Sequence, residues 1–196
     1  MIEVFKSLRI GYAMTGSFCT FARSFEQAEL LTGMGAQLIP IMSEKAATVS
    51  TRFGSAEENL RRLSQIAGRE VITDIAGAEP IGPKDMTDIM VVAPCTSNTA
   101  AKLASSITDS AVTMAVKSHL RGGKPVVLAV ASNDSLMGSA PNLGELFCRK
   151  GYYFVPMDQD DVEKKPASLV ARFSLLPETI EAALRGSQLR PLFCER

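Results

Sequence analysis

A chain of 196 residues with 46% hydrophobic content can bury a sizeable core, and a single domain spanning residues 1–196 is the expectation. Lysine and arginine balance aspartate and glutamate at 21 each, so neither the net charge nor any local basic run draws the chain toward nucleic acid or acidic lipid. No apolar stretch approaches the roughly 18 residues that span a bilayer, and Met1 to Arg9 lacks a signal-peptide core, so no membrane segment and a cytoplasmic location are expected.

Cys19, Cys95, Cys148 and Cys194 lie far apart without a C-x-x-C pair, and the chain holds one histidine. A zinc site is therefore not expected, and buried reduced thiols are the plainer reading. Leu8 to Met14 reads as a first strand ending in Thr15-Gly16-Ser17. Phe21, Phe25, Ala28 and Leu31 then mark one helix face, stopped by Gly33 and Gly35 before a second strand at Gln37 to Met42. Strand, helix and strand within about 30 residues form the βαβ unit of a parallel sheet. The Thr15–Ser17 turn occupies the place where α/β sheets hold phosphates, although it has neither a G-x-G-x-x-G fingerprint nor a Walker lysine. Its plain alternative is a tight turn in which Ser17 caps the helix.

Ser55-x-x-Glu58 has the form of a capping box, opening a surface helix that ends at Gly68 with Arg61 and Arg62 on its solvated side. Glu70 to Ile75 reads as a short third strand and Gly77 to Met86 as a loop. Ile89 to Ala93 is an apolar run suited to a strand buried on both faces, which Pro94 would end. Thr96, Ser97, Asn98 and Thr99 follow, and their side chains suit the free N–H groups of a helix start, a ready anion site. Cys95 would face that helix start, which lowers a thiol pKa, but no base of the Ser-His-Asp kind is near it in sequence.

Ser110 to Leu120 keeps a helical pattern to Gly122-Gly123. Lys117, His119 and Arg121 fall in its last turns, where cations favour the helix dipole; His119 is alternatively a proton donor. Lys124 to Ala131 is another buried strand, ending in Ser132-Asn133-Asp134. Asn142 to Lys150 reads as a short helix, and Tyr152 to Pro156 as a last strand. The charged Met157 to Pro166 segment lacks the EF-hand pattern and reads as a solvated loop or lid. Pro177 to Leu184 is a terminal helix, and about 187–196 a tail that packs on a neighbour. The pattern gives an α/β fold, a three-layer Rossmann-like (flavodoxin-like) parallel sheet with helices on both faces, whose post-strand loops at 15–17, 94–99 and 132–134 converge at one edge.

Those three loops carry a family resemblance. Thr15-Gly16-Ser17, then Ala93-Pro94-Cys95-Thr96-Ser97-Asn98-Thr99-Ala100-Ala101-Lys102-Leu103-Ala104, then Val130-Ala131-Ser132-Asn133, resemble the T-G-S, A-P-A-T-A-N-T-x-A-K-x-A and P-A-M-N motifs of flavin-containing cysteine and phosphopantothenoylcysteine decarboxylases. The chain departs from them in having Glu79-Pro80-Ile81-Gly82 where those enzymes carry a histidine, and Val130 and Ser132 in place of proline and methionine. A closer resemblance, over roughly Arg9 to Leu192, is to the family of dipicolinate synthase B subunits. It rests on Ala93 to Arg121, Asn133-Asp134, Tyr153-Phe154-Val155-Pro156, Gln159-Asp160-Asp161 and Lys165 to Val170.

What the resemblance implies is a flavoprotein-like subunit that, with a dehydrogenase-like A subunit, oxidises dihydrodipicolinate to dipicolinate during sporulation, in the mother cell. FMN is the implied cofactor, with room for NADP, and a trimer or dodecamer the implied assembly. FMN would be held by Thr15, Gly16, Ser17, Pro94, Thr96, Ser97, Asn98, Thr99 and Lys102. Asn133 and His119 are the catalytic candidates, Lys117 and Arg121 the candidates for substrate carboxylates, and no metal is implied. A decarboxylase, or a stabilising subunit that has lost flavin, stand as alternatives.

Overall fold

The computed structural model describes residues 2–194. The chain runs through α1 (Ile2–Phe5), β1 (Arg9–Met14), α2 (Phe21–Gly33), β2 (Gln37–Met42), α3 (Glu44–Thr48), α4 (Ala56–Ala67) and α5 (Ile75–Ala78). It continues with β3 (Ile89–Cys95), α6 (Ser97–Ala104), α7 (Ala111–Leu120), β4 (Val126–Ser132), α8 (Ala140–Cys148), β5 (Tyr152–Phe154), β6 (Met157–Asp158), β7 (Leu169–Ala171) and α9 (Leu176–Leu184). Strands β2, β1, β3, β4 and β5 pair in parallel in that order. This is the flavodoxin-like order, in which strand succession reverses between β1 and β3.

The apolar runs of the sequence resolve into two faces. Ile10, Tyr12 and Met14 of β1, Ile89, Val91 and Ala93 of β3, and Val127 and Ala129 of β4 join one core with residues of α2, α4 and α9. Met90, Val92, Val126, Leu128 and Val130 join the other, with residues of α6, α7 and α8. Side chains alternate with period two even where every residue is apolar, because both faces are covered. Two buried polar side chains, Tyr12 and Ser24, are satisfied within the first core. The Tyr12 hydroxyl donates to Ser24 O at 2.7 Å, and Ser24 Oγ donates to Ala93 O at 2.5 Å, fastening α2 to β3 beneath the loops. Burial pushes the Tyr12 phenol well above its usual pKa.

Several boundaries differ from the sequence reading. Pro94 does not end β3: the strand continues to Cys95 with a shift of register against β4. Residues 70–75 form no strand; only Ile72 bridges to Ile41, and α5 begins at Ile75. The supposed loop after it holds a 3-10 turn at Glu79–Ile81 packed on α7, where Gly82 N donates to Ser118 Oγ at 2.8 Å. A Cβ at Gly82 would collide with Ser118 O, so the approach requires glycine.

The sheet is also mixed rather than wholly parallel. β5 is not the last strand: β7 pairs antiparallel with the end of β4 (Ala131↔Val170, Ser132↔Leu169) and β6 pairs antiparallel with β7. The outer edge of β4 is thus shared, its first half taken by β5 and its end by β7. The charged segment between β6 and β7 is fastened rather than loose. Asp161 bridges Lys165, Gln159 Nε2 donates to Pro166 O at 2.8 Å, and Leu136 N donates to Ala167 O at 2.9 Å. The tail turns back on its own chain. Gln188 bonds both Phe154 N (2.8 Å) and Phe154 O (2.7 Å), and Phe193 bridges Met157; Glu195 and Arg196 of the expected tail lie outside the described residues. Among the described residues no helix is long and apolar enough to cross a membrane.

Candidate functional site

The loops after β1, β3 and β4 meet at the sheet edge where the strands end, over the reversal of strand order. Thr15 locks the first to the second. It is 1% exposed; its Oγ1 donates to Pro94 O at 2.8 Å and accepts from Thr96 N at 3.0 Å. With its hydroxyl spent on both contacts, Thr15 shapes the turn rather than facing a ligand. Pro94 is buried and follows a cis peptide bond, its carbonyl bridging to Thr15.

Thr96 is the N-cap of α6. Its Oγ1 accepts from Thr99 N at 3.2 Å, and Thr99, buried, meets the same hydroxyl through its own Oγ1 at 3.1 Å. Among the described residues the Ser97 and Asn98 N–H groups have no protein acceptor. They open outward at the positive end of an eight-residue helix. Ser17 does not cap the turn that follows it: its side chain makes no capping bond, and Cys19 Sγ at 4.0 Å is its hydrogen-bond-range neighbour. Lys102 reaches Asp109 with Nζ at 2.9 and 2.8 Å from the two carboxylate oxygens, holding the Asp109 carboxyl below its ordinary range.

Two lobes of one cleft result, sharing Gly16, Thr96 and Ser97. The smaller, about 320 Å³, lies over the starts of α6 and α3 and is lined by Ser97, Asn98, Lys102, Ser43 and Lys45 among others. The larger, about 620 Å³, is lined by Ser17, Phe18, Arg52, Phe53, Ser132 and Asn133 and walled by Lys165, Ser168 and Val170. Both volumes lie within the roughly 300–1,000 Å³ of small-molecule sites. Asn133 is exposed toward the larger lobe, on a loop shaped by Asp134, which accepts from Gly138 N at 3.2 Å and Ser139 Oγ at 3.0 Å.

Three candidates from the sequence lie elsewhere. His119 is 2% exposed, with Nδ1 2.8 Å from Thr87 Oγ1 and Nε2 2.9 Å from Pro125 O. Thr87 and Pro125 stand just before β3 and β4, so His119 sits at the opposite edge of the sheet, about 20 Å from the cleft for seven-residue strands. The carbonyl accepts from Nε2–H, so Nδ1 accepts from the threonine; burial lowers the pKa to about 4. A neutral, enclosed imidazole neither donates protons in the cleft nor answers a helix dipole. Lys117 and Arg121 line a separate groove with Leu103, Ile107 and Tyr152, away from the three loops of their own chain. Cys95 is fully buried and its thiol is pushed up to about 12 by burial, which removes it as a nucleophile. In place of these, the cleft presents Arg23, Arg52, Phe53 and Lys165. Of these, Lys165 falls within the Lys165–Val170 stretch that carries the resemblance, and Arg23, Arg52 and Phe53 carry no motif in the sequence.

The family model described as Flavoprotein matches residues 4–145. The chain belongs to the flavoprotein family. Over 190 residues this flavoprotein is 44% identical to the B subunit of dipicolinate synthase from Bacillus subtilis (strain 168), covering 97% of this chain and 95% of that protein. A crystal structure of the dipicolinate synthase B subunit from Bacillus halodurans C is similar at a TM-score of 0.89 and 42% identity, over 98% of each chain. An FMN-dependent cysteine decarboxylase shares the flavoprotein fold at a TM-score of 0.70 and 20% identity, over 92% of this chain and 97% of that one.

Proposed function

We propose that this flavoprotein binds FMN in the two-lobed cleft and works as the B subunit of a dipicolinate synthase, with an A subunit, in oxidising dihydrodipicolinate to dipicolinate during sporulation. The observation that carries the reading is the likeness to the Bacillus subtilis protein, which runs nearly the full length of both chains. The cleft fits the cofactor. A phosphate over α6 would take the free Ser97 and Asn98 N–H groups, with the hydroxyl of Ser17 next to the shared Gly16 and with Lys45, rather than the Asp109-paired Lys102, adding positive charge. Thr15, Pro94, Thr96 and Thr99 hold that surface in shape, and Gly16 leaves room beside it.

The oxidation removes two electrons and two protons and leaves an aromatic pyridine ring. FMN, when bound, supplies the electron acceptor that no side chain offers. The chain's own share is to bind and orient. Phe18 and Phe53 give the larger lobe apolar surface for a ring, Asp160, Lys165 and Ser168 line its far side, and Asn133 donates to a carboxylate or a ring carbonyl. A homo-oligomer is part of the proposal, since an FMN-dependent decarboxylase of this fold from Escherichia coli O157:H7 is described as dodecameric.

The test has two stages. FMN titrated into the purified chain should bind with a shifted visible spectrum. Dihydrodipicolinate is then supplied to the A subunit alone, to this protein alone and to both together, with dipicolinate measured. Full-rate production by the A subunit alone would remove this protein from the chemistry, and an unchanged flavin spectrum would remove FMN from the cleft.

A further inference from the structure

We propose that Arg23 and Arg52 form a clamp for a small dicarboxylate in the larger lobe of the cleft. The chain as a whole balances its charges, yet this lobe gathers three cations, Arg23, Arg52 and Lys165, against one carboxylate, Asp160. Lys165 Nζ lies 2.6 Å from Asp160 Oδ2, which leaves the two guanidiniums as the surplus. Among the described residues neither is paired with a carboxylate, whereas Arg62 and Arg172 are.

Each guanidinium lies over a ring. Arg23 Cζ is 5.6 Å from the centroid of Phe173, and Arg52 Cζ is 4.9 Å from that of Phe53. A ring face beside the guanidinium leaves its N–H groups open for two-pronged binding of a carboxylate. The mounts are firm and independent. Arg23 stands in the first turn of α2. Arg52 stands in a turn closed by reciprocal bonds between Thr51 and Gly54 (3.0 and 3.1 Å), with Gly54 at φ +137°, a conformation that favours glycine.

Two cations on separate elements answer a ligand with two separated anionic groups, such as a six-membered ring carrying carboxylates on both sides of its nitrogen. A phosphate is answered elsewhere, because neither arginine lines the lobe over α6. Arg23 also borders an adjoining polar pocket of about 360 Å³, whose carboxylates Glu26 and Asp158 leave the larger lobe as the place for an anion. The clamp deepens the function proposed above and rests on it for the identity of the neighbouring flavin.

The experiment titrates pyridine-2,6-dicarboxylate, by calorimetry, into the full chain with and without FMN, using wild type, Arg23→Gln and Arg52→Gln. Pyridine-2-carboxylate is the one-carboxylate control, and FMN affinity is measured separately on each protein. Each substitution should weaken the dicarboxylate by about ten- to a hundredfold and leave FMN affinity unchanged. Arg52→Lys, a point charge without a fork, should restore only part of the loss, and the monocarboxylate should bind weakly to wild type. Dicarboxylate affinity unchanged in both variants would overturn the clamp, as would no binding to wild type in either state. Loss of FMN affinity with dicarboxylate binding intact would assign the arginines to the cofactor and overturn it as well. If wild type fails to take FMN, the flavin reading falls, while the flavin-free titrations still decide whether these arginines hold the dicarboxylate.

Discussion

At the edge where the strands begin, Arg9, Asp85, Asp88, Lys124, Thr87 and His119 close on one another. Arg9 Nη2 lies 2.5 Å from Asp88 Oδ1, Lys124 Nζ lies 2.6 Å from Thr87 O, and both imidazole nitrogens are bonded. Lys124 and Arg9 hold the Asp85 carboxyl below its ordinary range, and Arg9 does the same for Asp88. At the edge where the strands end, the scaffold is equally well bonded, but Ser97 N–H, Asn98 N–H, Arg23, Arg52 and Asn133 line a cleft with no hydrogen-bond or carboxylate partner among the described residues. Both edges are polar, and only one is unfinished. Unspent donors over a rigid frame mark the binding edge better than does a histidine or a cluster of charge.

The largest expected effect tests the closed edge. His119→Ala should destabilise the fold by about 2–4 kcal/mol in urea unfolding, from the cavity and the unpaired Thr87 and Pro125 groups, while the folded fraction still takes FMN. The same residue sets a pH dependence. Its pKa falls from 6.5 to about 4 on folding, so the unfolded chain binds the extra proton first. Stability should therefore be full above pH 6.5 and decline by roughly 3 kcal/mol as the pH falls toward 4. His119 is the chain's one histidine, so His119→Gln should flatten that window. A slope that survives the substitution would move its origin to other groups.

A smaller effect joins the two regions. Thr15→Val keeps the shape but removes the acceptor of Thr96 N–H, and should cost about 1–3 kcal/mol together with roughly tenfold in FMN affinity, read by flavin fluorescence. Thr15→Ser should hold both values near wild type. At the open edge, Asn133→Ala should leave the unfolding curve within about 0.5 kcal/mol, since the side chain is exposed. The rate of dipicolinate formation with the A subunit present should nonetheless fall, about tenfold for one lost hydrogen bond. Smallest of all, Lys117→Ala and Arg121→Ala should leave FMN and dicarboxylate affinity unchanged; a loss in either would bring the separate groove into the site.

Much of the frame was legible because local signals and tertiary structure agree. The apolar runs of β1, β3 and β4 are buried on both faces, and Ser55 with Glu58 forms the capping box its spacing suggests. Val71 and Ile72 have strand-like composition, but only Ile72 finds a partner strand, so no ladder forms. β6 and β7 hold two and three residues beside a highly charged run, too short to show a period. His119 and Arg121 lie away from the cleft of their own chain for a geometric reason. The chain leaves the cleft at Thr96, and α7, about 15 Å long, carries it back to where β4 begins. Neighbours in a sequence motif thus end on opposite edges. Arg23 and Arg52 escaped notice because an arginine on a helix or turn looks like any solvated charge until its lack of a carboxylate can be seen.

The shared edge of β4 bears on the order in which the protein can be made. Residue 16 supplies one wall of the cleft, while the opposite wall waits for β7 near residue 170, and Gln188 and Phe193 then brace the strands beside it. A nascent chain that has emerged only through β5 already holds the five parallel strands and the lobe over α6, yet lacks one wall of the larger lobe. The lobe over α6 is assembled early in synthesis, and the second wall of the larger lobe arrives with the residues that follow β5.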